Sequence, residues 1–346
     1  MKKLLGVLAA LSIWASGAAP LHAEAKTLDI YFVDVEGGAA TLIVTPAGEA
    51  VLVDAGEPGQ RDPGRIAHVA KDVAGLQQID HCIVTHWHID HVGGVPALAQ
   101  LLPIQRYYDH GIPEALTNDV RAQDVAAYRE LTKGQATVLK PGDEIALKPA
   151  AALPPLRLRV VAANGLVLGE LPGASQTRRC DKGHVARADD PSDNCRSIAL
   201  VLSCGDFRFF AGADLTWNTE HRLVCPENLV GKVDVFQVDH HGFDISNNPA
   251  LVQALRPRVA IMNNGPRKGA APKTFATLMA SPGLEAVFQL HRNVRTGITE
   301  NAPPEFVAND EPDCQGRFIK LAVDPKGKSY TVTVTGKGTS RTYPTW

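Results

Sequence analysis

Thr85-His86-Trp87-His88-Ile89-Asp90-His91, followed by Val92-Gly93-Gly94, is the stretch on which the reading of this chain turns. Three imidazoles and a carboxylate fall within six positions, directly after the apolar run Cys82-Ile83-Val84. Such a run reads as a buried strand, so these side chains sit on the loop leaving its carboxyl end, where open α/β sheets place their sites. Neutral imidazole and carboxylate are donors that zinc accepts. Four of them on so short a loop cannot all reach one ion and leave it room for a substrate. They divide into His86 with His88 and Asp90 with His91, serving adjacent metals. Two metals about 3.5–4 Å apart can hold a bridging hydroxide and clamp the attacking and leaving oxygens of a displacement. A lone histidine carries no such message; the density of this cluster does.

His86-Trp87-His88-Ile89-Asp90-His91 resembles the His-x-His-x-Asp-His signature of the metallo-β-lactamase-fold hydrolases, and the resemblance runs from about Leu28 to about Thr335. It implies an α/β (α+β) fold, a four-layer αββα sandwich of two mostly antiparallel mixed sheets, with a dinuclear centre, usually zinc, at one edge. Asp34 to Ala40 looks like the turn that opens the competence-protein branch of these domains. Asp54, ending an apolar strand before Ala55-Gly56, matches the first-motif Asp and is expected to orient the metal loop through hydrogen bonds. Asp214, after an aromatic strand and Gly212, stands where the family bridges its two metals. His240-His241-Gly242 resembles the His-His-Gly of the competence-type branch, which implies one histidine of the pair on metal; His241 is preferred for that place, with His240 on the substrate or leaving group, and the reverse stays open. One departure stands out. Where a further histidine is common, this chain reads Ser192-Asp193-Asn194-Cys195-Arg196-Ser197. Either Asn194 or Asp193 substitutes, or His184 or His110 swings in, or the first metal has fewer protein ligands.

At the amino end, Met1-Lys2-Lys3, the apolar Leu4 to Trp14 and Ala23-Glu24-Ala25 form the pattern of a secretory signal peptide, so residues 1–25 are set aside and a periplasmic or secreted protein is expected. The chain has 346 residues and a formal charge of −2, and it stays acidic without Lys2, Lys3 and Glu24. No basic field draws in nucleic acid, and no aromatic-basic interleaving offers a stacking surface, so nucleic acid is the weaker partner class. Residues 26–346 read as one domain with an insertion at about 103–191 and a closing β-hairpin at about 317–335. No later segment is long and apolar enough to span a membrane. Six cysteines in an exported chain make disulfides plausible, Cys180 with Cys195 first, while Cys82 in the strand feeding the metal loop reads as a buried free thiol.

Elsewhere the chain alternates short apolar strands with Gly and Pro punctuation. Val138 to Leu147 reads as a hairpin turned at Gly142. Arg267, Lys268 and Lys273 form a basic loop running into a helix start, suited to hold an anionic substrate. His291 closes a strand, and its position places it at the cleft rim. These readings combine into an exported dinuclear-zinc hydrolase in which a metal-bridging hydroxide attacks, with His86, His88, Asp90, His91, Asp214 and His241 as ligands and Asp90 and His240 as catalytic groups. Phosphodiester-type substrates are favoured. Lactone or β-lactam hydrolysis, and a non-catalytic metal-binding or sensing protein, are the alternatives.

Overall fold

In nearly every central strand both faces are apolar, and that pattern demands cover on both sides. The computed structural model describes residues 26–150, 153–170, 185–295, 297 and 300–346. The expected leader, Cys180 and His184 lie outside the described residues. Among those described, one nine-stranded sheet runs in spatial order Thr339–Pro344, Ser329–Val334, Ile319–Val323, Leu28–Phe32, Thr41–Val44, Ala50–Val53, His81–Ile83, Tyr107–Asp109, Thr137–Val138. The second runs Val307–Asn309, Ala286–His291, Val259–Met262, Val235–Gln237, Phe207–Ala211, Ala199–Cys204, Leu156–Ala163, Glu144–Ile145, with Leu166–Val167 also paired to Leu156–Ala163.

Alternation along each strand sorts its residues between two cores. Ile30, Phe32, Val51 and Ile83 point inward against Leu200, Phe209, Val235 and Ile261 of the facing sheet. Phe32 and Phe209 meet edge to face across that interface, ring centroids 6.0 Å apart. Tyr31, Val33, Leu42, Leu52 and Cys82 point the other way, onto the helices of Ile66, Leu98 and Val125. Phe210, Phe236 and Ala260 do the same on the far side, under Leu223, Leu251 and Leu278. The result is helix, sheet, sheet, helix. Each fully buried Leu, Ile or Phe contributes on the order of 1.5–3 kcal/mol, so the inner core is the main source of stability.

Both sheets are mixed, and the parallel pairing is concentrated where it matters. Phe207–Ala211, Val235–Gln237, Val259–Met262 and Ala286–His291 are successive parallel neighbours, joined by the crossover helices Trp217–Val224, Pro249–Leu255 and Pro272–Met279. Proline opens two of these helices, where its missing N–H costs nothing, and Asn248 caps one by accepting the Ala250 N–H at 2.9 Å. Parallel strands deliver their carboxyl ends to one edge. In the first sheet Ala50–Val53 and His81–Ile83 are parallel to each other as well, and their ends carry Asp54 and the His86–His91 loop.

Three expectations need correction. Thr137–Val138 and Glu144–Ile145 are not a hairpin: the first pairs with Tyr107–Asp109 and the second with Leu156–Ala163, in different sheets. A turn at Lys140 to Asp143, closed by Asp143 N–H to Lys140 O at 3.1 Å, carries the chain between layers. Residues 103–191 thus supply strands to both sheets. The carboxyl end adds a third strand, Thr339–Pro344, beyond the expected pair. Cys195 is a free thiol, its Sγ 3.2 Å from Ser192 O, so the expected Cys180 to Cys195 bridge is absent; Cys82 is free and buried.

Candidate metal centre

Beneath the loop lies Asp54, buried at the end of Ala50–Val53 with φ +61°. Its Oδ1 accepts the Thr85 N–H at 2.8 Å; its Oδ2 accepts the Thr85 hydroxyl at 2.7 Å and His91 Nδ1–H at 2.8 Å. Having given its hydrogen to Asp54, the Thr85 hydroxyl can only accept from His86 Nδ1–H, 3.2 Å away. Both imidazoles therefore carry a proton on Nδ1 and turn Nε2 inward. Trp87, between the two outer histidines of the motif, points the opposite way. It is fully buried, its indole N–H on Gly111 O at 3.1 Å and its ring against Tyr128 and His110.

From the second sheet, Asp214 and His241 arrive on backbone bent by left-handed residues: Ala213 at φ +52°, His240 at +51°, His241 at +52°. Such strain is concentrated at sites that the surrounding structure over-determines. Here part of the determination comes from a buried acid pair. Asp239 accepts the Gly212 N–H at 3.1 Å, and Glu220 accepts the backbone N–H groups of Asn247 and Asn248, each at 2.7 Å. Burial, with Glu220 beside it, raises the Asp239 carboxyl well above the usual range, so one of the two acids holds a proton. Gly269 is required by close approach: at φ +73°, a Cβ there would stand 1.9 Å from His241 O.

The rings converge on two carboxylate oxygens. Asp214 Oδ2 lies 3.3 Å from His91 Nε2, 3.4 Å from His241 Nε2, 3.5 Å from His240 Nε2 and 3.9 Å from His86 Nε2. Asp90 Oδ2 lies 3.2 Å from His241 Nε2, 3.4 Å from His91 Nε2 and 2.6 Å from Lys268 Nζ. Two sets emerge, His86 with His88 and Asp214, and Asp90 with His91 and His241, the ligand atoms of each within 4.8 Å of one another. Nε2 of His86, His91 and His241 are buried without a hydrogen-bond partner. His241 gives its Nδ1–H to Asn263 O at 3.1 Å, which leaves its Nε2 free.

Electrostatics point the same way. Burial opposes ionisation of Asp214, yet His241, His91 and His240 outweigh it and hold the carboxyl well below the usual range. Burial likewise opposes the charged form of His91, and Asp214, Asp90 and Asp54 overcome it and push the imidazole well up. Without a cation, the carboxylates draw a proton onto the ring. Divalent ions at the same place would supply that positive charge, and nitrogen and oxygen donors so arranged fit zinc.

His240 has a distinct setting. Ser246 Oγ–H donates to Leu215 O at 2.6 Å, so His240 Nδ1, 3.1 Å from that oxygen, must be the donor to it. Nε2 then faces the centre as a lone pair, and burial pushes the group down to about 4. It is a neutral acceptor at rest.

Of the alternatives for the missing histidine, Asp193 is engaged elsewhere, accepting the Trp87 N–H at 2.7 Å with His110 Nε2 at 3.2 Å from the same oxygen. These two residues brace the metal loop from outside. Asn194 sits next to them with its Oδ1 buried and unpartnered. The basic loop does not act as a unit: Lys268 reaches Asp90, Arg267 is exposed, and Lys273 pairs with Asp244 at 3.5 Å on the surface. His291 is buried beside Asp34 rather than at a rim.

Asp119 is a residue that sequence reasoning missed. Its Oδ2 accepts from His88 Nε2–H and from the Asp193 N–H at 3.1 Å, which leaves His88 Nδ1 for the centre. It lies in an aperiodic polar loop, and no pattern marks it. Carboxylates behind ligand histidines set metal affinity. Asp119→Asn is expected to weaken zinc binding at the first position by about 10–100-fold with an unchanged circular dichroism spectrum, measured by competition with a chelating dye. Unchanged affinity would remove Asp119 from the site.

Residues 33–170 match the family model of the metallo-beta-lactamase superfamily. Over those residues the chain is similar to the metallo-beta-lactamase superfamily. It is 35% identical over 115 residues to a UPF0173 metal-dependent hydrolase of Cupriavidus necator, covering 33% of this chain and 39% of that one. Ribonuclease Z of Bradyrhizobium diazoefficiens is 34% identical over 84 residues, 23% of this chain and 26% of the relative. ComE operon protein 3 of Bacillus subtilis is 24% identical over 191 residues, 55% of this chain and 20% of the relative. The chain thus spans well under half the length of each. The superfamily match ends before Asp214 and His241, so the second half of the centre stands on the geometry above.

Proposed function

We propose that this chain is an exported, dinuclear metal-dependent hydrolase acting on phosphodiester-type substrates. The observation that carries the hydrolase reading is the convergence of three buried, unpartnered imidazole nitrogens on Asp90 and Asp214. Two divalent ions held there, zinc first, would supply Lewis acidity and a water acidified toward about pH 7. The chain's own groups do the rest. Asp90 orients the attacking water, and Asp214 fixes the separation of the two ligand sets. His240 Nε2, kept free of a proton by the Nδ1–H bond to Ser246, takes a proton and returns it to the leaving oxygen.

Lys268 supports the substrate class. Its ammonium at Asp90 puts a positive charge beside the centre, where the non-bridging oxygen of a phosphate would rest. The likeness to ribonuclease Z over a short segment is compatible with that choice. Export rests on the leader-like pattern of residues 1–25; no helix among the described residues is long and apolar enough to cross a membrane.

The test combines metal content per chain with hydrolysis of bis(p-nitrophenyl) phosphate and a chromogenic cephalosporin. Two metals per chain, with diester cleavage lost on chelation and restored by zinc, is the expected result. Cephalosporin turnover in its place would move the substrate class to lactams. Fewer than two metals after zinc supplementation, with both substrates untouched, would make this a binding protein.

A further inference from the structure

We propose that Asp34, His291 and Cys314 form a third metal position, separate from the dinuclear centre and suited to a thiophilic divalent ion such as zinc. The proposal does not rest on the catalytic reading. The three residues come from beyond the end of Leu28–Phe32, from the end of Ala286–His291 and from the loop before Ile319–Val323, and their ligand atoms lie within 4.8 Å of one another. His291 Nε2 is 2.6 Å from Asp34 Oδ1, and Cys314 Sγ is 3.1 Å from Asp34 Oδ2 and 4.0 Å from His291 Nε2. Asp34 and His291 are fully buried while Cys314 is half-buried, so an ion can approach from the thiol side. Carboxylate, imidazole and thiolate are the donors zinc sites are built from. The thiolate separates this set from the nitrogen and oxygen donors of the main centre.

Arg65 is the obvious objection, because a guanidinium beside a metal site repels the ion. Its Nη1 lies 2.9 Å from Asp34 Oδ2, and its Nη2 lies 3.1 Å from both Cys314 O and Glu36 Oε1. It therefore ties the carboxylate to the loop that carries the thiol, and Glu36 balances its charge. Gly316, at φ +72°, lets that loop cross over it, since a Cβ there would stand 2.6 Å from Arg65 Nε. His291 Nε2 faces both Asp34 and Cys314, so its ring is already turned toward the other two donors.

A divalent ion held here would displace the thiol hydrogen that Cys314 now gives to Asp34, and the thiolate with the carboxylates of Asp34 and Glu36 would balance the ion and Arg65.

The full chain, stripped by chelator under reducing conditions, is reloaded with cobalt(II). The main centre has no thiolate, so a near-ultraviolet thiolate-to-cobalt charge-transfer band reports on this position. The band is expected in the wild type, absent in Cys314→Ser with one metal fewer per chain, and retained in Asp214→Asn, where the main centre is impaired. A measurement that needs no variant stands beside it: zinc is expected to protect Cys314 of the unaltered chain from iodoacetamide, read by peptide mass. No band in the wild type, a band that survives Cys314→Ser, or equal alkylation of Cys314 with and without zinc would overturn the proposal.

Discussion

Asp214→Asn is expected to lower kcat by about a thousandfold or more, roughly 4 kcal/mol of barrier, on whichever substrate the wild type cleaves. The reason lies in what Asp214 Oδ2 faces: Nε2 of His91, His241, His240 and His86, all between 3.3 and 3.9 Å away. No other carboxylate oxygen among the described residues lies within 4.0 Å of four imidazole nitrogens. Asparagine keeps the shape and loses the charge, so the rings remain while the anion that would hold two cations side by side is gone. Tight metal content is expected to fall below two per chain, and inductively coupled plasma mass spectrometry on dialysed protein reads it directly. A variant that keeps two metals and cleaves within about tenfold of the wild type, 1.4 kcal/mol, would show that Asp214 does not join the two sets.

Asp54→Ala attacks the same centre from below, and stability is the quantity it moves most. It removes the acceptor for the Thr85 N–H, the Thr85 hydroxyl and His91 Nδ1–H, all buried. Leaving such donors unpaired costs about 1–3 kcal/mol each, and alanine at φ +61° adds about 1 kcal/mol. Partial relaxation makes a total near 4 kcal/mol the reasonable expectation, a fall in Tm of about 6 °C for a chain of this size. Asp54→Asn, which tolerates the left-handed backbone and keeps one acceptor oxygen, should fall between. Thermal unfolding of metal-free protein isolates this effect from lost metal binding. A shift below about 3 °C in Asp54→Ala would mean that the loop is held by other contacts.

How much of this could be read before any coordinates depends on whether a residue's role is local. His86, His88, Asp90 and His91 were legible because a buried strand, a ligand cluster and a glycine pair follow one another directly. Asp54, Asp214 and His241 were legible because each closes an apolar run, and parallel strands bring such ends to one edge. Asp119 was not, because nothing in a polar loop announces that its carboxylate backs a histidine on another element. Glu220 sits inside the helix Trp217–Val224, yet its bonds reach Asn247 and Asn248, beyond any helical period. The basic loop misled in a different way: charge spacing gave three cations, and only backbone geometry could show that Lys268 alone turns toward Asp90. Asp34, His291 and Cys314 are scattered along the chain, so their meeting depends wholly on sheet order.

Distance along the chain has one last consequence. The Lys268 contact with Asp90 spans 178 positions, and the hydrogen bond from Thr41 to Gln237 that ties the two sheets spans 196. A nascent chain exposes the His86 to His91 loop long before Asp214 or His241 has been made. Contacts of this range form late in folding. An ion that needs donors from both halves therefore binds only the completed native state, stabilises that state in proportion to the logarithm of its free concentration, and gives nothing to a half-docked intermediate. The folded fraction of the chain would then rise with metal supply.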